Sequence, residues 1–169
     1  DTTITTVTSA TVSGAGAIDI SDTAGGLAVT NATTNDGTIT LNATGGTLAL
    51  TNVSAGGAGQ DVVATTTTSG DIAVSGVSAT DNVSLTAAGA ITDGNAGATN
   101  ITAATLDASA ATGIDLDTTV TTVTSATVSG TGAINLSDTA GGLAVTNATT
   151  NNGTITLNAT GGTLALTNV

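Results

Sequence analysis

Twelve aspartates are the only side chains in this 169-residue chain that carry charge at neutral pH, so acid–base chemistry has to be built from them. There is no Lys, Arg, His, Glu, Cys, Met, Pro, Phe, Tyr or Trp. No Ser–His pair can form, and no side chain can act as a basic or thiol nucleophile. A zinc site lacks its Cys or His ligands. A pair of aspartates for glycoside hydrolysis is the one catalytic arrangement left. The competing reading places the aspartates at turns and on a solvated face, and on it no enzyme is expected. A net charge of −12 with no cation repels phosphate, and no aromatic ring is present to stack on bases, which excludes nucleic acid as a partner. Anionic membrane surfaces are excluded on the same ground, and no apolar run approaches the length of a membrane span.

Three motifs remain. Gly56-Gly57-Ala58-Gly59-Gln60-Asp61-Val62-Val63-Ala64 fits the calcium-binding nonapeptide G-G-x-G-x-D-x-U-x and points to Asp61 as a metal ligand. The copy is solitary, so the competing reading is a plain glycine-rich corner. Asp93-Gly94-Asn95 is a second, weaker oxygen cluster. Sequons for Asn-linked glycosylation occur at Asn31, Asn42, Asn52, Asn82, Asn100, Asn135, Asn147, Asn152 and Asn158. They describe either a glycosylated surface fibre or asparagines stacked at coil corners, followed by Thr because strands favour it. The third signal is Thr-rich alternation, as in Thr38-Ile39-Thr40 and Thr118 to Thr122. Ordered ranks of Thr on a flat β face would suit an ice-binding surface. Here Thr38 and Thr40 align with Ala17 and Asp19 one coil earlier, which breaks the rank.

What must position these residues is a repeat. Residues 117–169 copy residues 1–53 with five differences: Ile4/Val120, Ala15/Thr131, Asp19/Asn135, Ile20/Leu136 and Asp36/Asn152. The expectation is a window from a tandem array whose unit is 116 residues long, 1–116 being one unit and 117–169 part of a second. Inside it lies a shorter repeat. Residues 16–36 align without a gap on residues 37–57, placing Ile18 on Ile39, Ile20 on Leu41, Leu27 on Leu48 and Val29 on Leu50. Each 21-residue unit holds two short runs of apolar/polar alternation separated by Gly, Asn, Asp, Thr and Ser. Period-two alternation marks a strand with one buried face, and Gly and Asn mark corners.

Repeats of this length with no helical periodicity predict an all-β fold. We read one continuous β-solenoid over residues 1–169, a single-stranded parallel β-helix of about 20 residues per coil. A right-handed sense is expected from the general preference for right-handed crossovers. About eight coils are expected, with about six in the 116-residue unit. The expected core is Ile18, Ile20, Leu27, Val29, Ile39, Leu41, Leu48, Leu50, Ile72, Val74, Val83, Leu85, Ile114 and Leu116, with Ile134, Leu136, Leu143, Val145, Ile155, Leu157, Leu164 and Leu166 from the second copy. Residues 86–112 fit no register. Tandem immunoglobulin-like sandwiches are the competing architecture, and the ungapped short repeat argues against them.

The units GTITLNATGGTLALTNVSAGG and GAIDISDTAGGLAVTNATT resemble the repeats of filamentous-haemagglutinin-type β-helix proteins, the long bacterial adhesins exported by two-partner or autotransporter routes. The shared pattern is G-x-I-x-L followed by A-T-G-G-x-L-x-L and a Gly/Asn/Ser corner. The resemblance implies a rod at the cell surface or in a secreted matrix, and it carries no catalytic or binding residue. The absence of cations and aromatics points to a uniform stalk or fibre. Its partners would be copies of itself, by coil stacking and end-to-end or lateral assembly, and cell-surface glycans if it serves adhesion. No cofactor is expected apart from calcium at Asp61. Without Lys, Arg or aromatics the chain offers no trypsin-like site and no preferred chymotrypsin-like site, so resistance to proteases is expected.

Overall fold

The computed structural model describes residues 1–139 and 141–169. Among them there is no helix, and every strand pairing is parallel. The chain winds into a β-solenoid whose coils stack directly on one another. One aliphatic column runs Ile18, Ile39, Val62, Val83, Leu106, Val123, Val145, Leu166, each residue paired in register with the next. A second runs Leu27, Leu48, Ile72, Ile91, Ile114, Ile134, Ile155. The two columns lie on the two walls of each coil and meet in one continuous core.

Local sequence dictates each wall. In Ile39–Ala43 the pattern Ile-Thr-Leu-Asn-Ala buries every second residue, as a strand with one wet face requires. The longer strand Leu27–Asp36 buries Leu27, Val29, Ala32 and Thr34. Its alternation skips a beat at Thr30-Asn31, where both side chains face outward or sideways, so this wall is bent. Tight corners join the walls. At Gly37 an added Cβ would lie 2.0 Å from the Gly16 carbonyl oxygen, so the close approach of successive coils demands glycine there. Gly153, its copy, meets Gly132 in the same way.

The two sequence copies do not sit on the same wall. Ile18 and Ile39 of the first copy stand in the first column, whereas their counterparts Ile134 and Ile155 stand in the second. Val29 lies on the wall of the second column, and its counterpart Val145 is in the first. Ile134 falls between the Val123 and Val145 rungs of the first column, on the wall across the core. The expectation of six coils per 116-residue unit is therefore corrected to about five and a half. The exchange is made in the middle of the chain. There the first wall lengthens from Val62–Thr66 through Asn82–Ala87 to Leu143–Thr150, while the second shortens from Leu48–Ala55 to Ile134–Asp138.

Residues 86–112, for which sequence offered no register, are part of this adapter. Thr105 to Ala110 continue the first wall by pairing with Asn82 to Ala87, and Ala90–Asp93 continues the second. A loop over residues 94–99 sheds the extra length. Most of the expected core is buried, with two kinds of exception. Ile20 is half-buried because the first residues of the chain cover its strand only through a bridge at Thr2 and Asp22. Ile155, Leu157 and Leu164, in the final strands of the sequence, are partly buried, and Leu166 is 52 % exposed. Residues the alternation rule passed over complete the core, among them Val53, Val62, Val77, Ile91, Ile101, Leu106 and Val123.

Candidate functional site

Asp61 immediately precedes the first-wall strand Val62–Thr66, after the glycine-rich corner where Gly57 and Gly59 have φ of 88° and 71°. Its Oδ1 accepts the main-chain N–H of Asn82 at 3.1 Å, tying this corner to the coil above. Across the corner, Gln60 Nε2 donates to Asp36 Oδ1 at 3.4 Å. Among the described residues no group of three or more acidic, His or Cys side chains converges. A calcium ion at Asp61 would draw on main-chain and amide oxygens more than on carboxylates.

The sequon asparagines fall into two groups. Most line the outer surface and bond along the shaft axis to the neighbouring coil. Asn52 Nδ2 donates to Asn31 Oδ1 at 2.6 Å, and the copied pair Asn168 and Asn147 repeats this at 2.6 Å. Asn42 Nδ2 donates to Ser21 Oγ at 3.2 Å, Asn158 Nδ2 to Ser137 Oγ at 3.5 Å, and Asn135 Nδ2 to Asp115 Oδ1 at 2.7 Å. Asn82 Oδ1 accepts the Thr105 hydroxyl at 2.8 Å. Asn152 is exposed at a corner.

Asn100 differs, being 1 % exposed. Its Nδ2 donates to the Val74 carbonyl at 2.8 Å, to Asp93 Oδ1 at 2.9 Å and to Asn95 Oδ1 at 3.1 Å, while its Oδ1 accepts the Asp117 N–H at 2.7 Å. It joins three successive coils and closes the base of the 94–99 loop. Asp93, the second oxygen cluster of the sequence, also accepts N–H groups from Asn95 at 2.8 Å and Gly97 at 3.0 Å. The Asn100 amide, followed by the Asn95 N–H, holds the Asp93 carboxyl below its ordinary pKa. Ala96, with φ of 58°, takes the left-handed conformation that lets the loop turn its N–H groups inward. The cluster's polar groups are satisfied from within, so the arrangement staples a loop.

Two carboxylates are buried, Asp22 and Asp138, and they are copies of each other. Asp138 Oδ1 accepts the Val120 N–H at 3.0 Å and the Thr118 hydroxyl at 3.3 Å. The exposed aspartates Asp19 and Asp36 become Asn135 and Asn152 in the second copy, whereas this buried one is kept as aspartate.

Sequence reasoning missed the outward ranks. Thr11, Thr33, Ser54, Ser78, Thr102 and Thr119 stand in one unbroken file, each paired with the next. On the other wall Ser21, Asn42, Thr65, Thr86, Ser109, Thr127 and Thr149 form a second. Within them Ser78 Oγ donates to Ser54 Oγ at 2.9 Å. The file that includes Thr40 is broken as expected, by Asp19 below and Val63 above. The unbroken files were hidden because coil lengths vary through the middle, which offsets their members in sequence. The files present hydroxyls at the inter-strand spacing of about 4.8 Å, with the Asn42 amide as the one exception and methyls only at the Thr positions. Comparison of the chain with protein-family models, with curated proteins and with solved structures returned no match.

Proposed function

We propose that this chain is a segment of a long extracellular repeat protein of the filamentous-haemagglutinin kind, serving as a surface filament, stalk or matrix fibre and taking part in adhesion. The observation that carries the proposal is the aliphatic column from Ile18 to Leu166, in which every coil is held by its neighbours alone. Such a shaft lengthens by adding coils without any change of design. The composition supports the same reading. A chain without Lys, Arg or aromatic residues gives digestive proteases little to recognise, and uniform negative charge keeps neighbouring shafts from clumping.

Immunogold labelling of intact cells, combined with electron microscopy of the released material, tests it. Labelled smooth rods with an axial layer line near ~4.8 Å are expected. Label seen only after permeabilisation, or beads at domain spacing, would overturn it.

A second reading has its own observation. The two outward files of small polar residues, hydroxyl-bearing throughout except at Asn42, favour a binding wall for a glycan or for ice. Enrichment of the chain in a slowly grown ice fraction, or retention on immobilised glycans, would support this reading. Loss of that retention in Thr65→Val, Thr86→Val, Thr127→Val variants would place the binding on that wall.

A further inference from the structure

We infer that the 116-residue unit is a half-turn display device: it carries each surface feature of the repeated segment to the opposite side of the shaft. The unit spans about five and a half coils, so a second copy arrives rotated by about half a turn and displaced by about 26 Å along the axis, at 4.8 Å per coil. The register shows it directly. Following the outward file up the first wall from Ser21 and Asn42 of the first copy leads through Thr65, Thr86, Ser109 and Thr127 to Thr149. Thr149 is the copy of Thr33, a residue of the other wall. The copies of Ser21 and Asn42 are Ser137 and Asn158, and these lie on the second wall.

The consequence concerns partners. A unit spanning a whole number of coils would present its surface on one side only, and bulky ligands on neighbouring copies would collide. With half a turn between copies, Thr30 and Thr146, exposed residues at the same place in the repeat, stand on opposite walls. Two bulky partners can then occupy neighbouring copies at once, and one shaft can bridge two surfaces. The surface is thereby bivalent by geometry and suits a partner larger than the axial step.

Two measurements on the whole chain test this, helped by its lack of any native cysteine. In the first, cysteine pairs walk along one wall: Thr86→Cys with Ser109→Cys, and Ser109→Cys with Thr127→Cys. Both pairs are direct rungs and are expected to oxidise to disulfides. Failure of either pair in a variant that retains the wild-type circular dichroism, or disulfide formation by Ser109→Cys with Ser137→Cys, would overturn the inference. In the second, Thr30→Cys with Thr146→Cys is labelled with short-linker biotin and titrated with monovalent streptavidin, a probe on the order of 50 Å across by size scaling. Two bound per chain, seen on opposite sides by electron microscopy, is the expected result. One per chain, or two on the same side, would overturn it.

Discussion

Asn100 Nδ2 lies 2.9 Å from Asp93 Oδ1 and 2.8 Å from the Val74 carbonyl oxygen, so one buried amide ties the loop after Asp93 to the coil beneath it. Asn100→Ala leaves the Asp117 N–H without its acceptor inside the shaft, while the Val74 carbonyl keeps only the Gly94 N–H. A loss of about 1–3 kcal/mol is expected, the cost of one unsatisfied buried group. Chemical denaturation, followed by circular dichroism, measures it. Amide exchange should quicken first around residues 93–101.

The same bond makes stability depend on pH. Because its partners lower the Asp93 pKa in the folded state, the folded chain holds that proton less tightly than the unfolded chain does. The contribution is complete above the unfolded value of about 3.9 and is lost as pH falls through the lower, folded value. Stability of the wild type relative to Asp93→Asn should therefore be constant above about pH 5 and shrink below about pH 4. The carboxyl is partly open to solvent, so the difference is small and best read from paired melting curves.

Glycines in corners should divide sharply. A Cβ at Gly37 would sit 2.0 Å from the Gly16 oxygen, so Gly37→Ala must push two coils apart and is expected to lose about 1–3 kcal/mol or more. At Gly14 an added Cβ meets nothing within 4 Å, so Gly14→Ala should be neutral or stabilising by up to about 1 kcal/mol. Equal effects in melting experiments would contradict the coil spacing.

Identical substitutions in the two copies should differ. Leu41 is fully buried between coils, and Leu41→Ala is expected to lose about 2–5 kcal/mol. Its copy Leu157 lies in the last coil and is only partly buried. Leu157→Ala should cost roughly half as much or less. Coil-resolved hydrogen exchange separates the two losses.

The short repeat made the coil legible, because Ile18 on Ile39 and Leu27 on Leu48 are matched by residue identity as well as by spacing. It did not reveal which wall each copy occupies. That depends on accumulated coil length, and the shift is spread over residues 58–116, which lie outside both the strict 21-residue repeat and the copied segment. Leu106 and Ile101 escaped notice for the same reason: each is a single apolar residue among Ala and Thr, recognisable as core only once Val83 and Val77 stand beneath them. The Asn100 staple was visible only as a sequon, since the sequence gives no sign that its side chain points inward. The hydroxyl files needed three-dimensional register to be seen at all.

Because each rung pairs with a residue about one coil away along the chain, every added coil requires a loop closure of nearly the same modest size. A longer shaft then poses no harder search than a short one. Folding can advance from a formed coil to the next as the chain emerges, with the finished edge as template. On the proposed surface role, such growth would let the shaft reach its final shape without ATP-driven assistance.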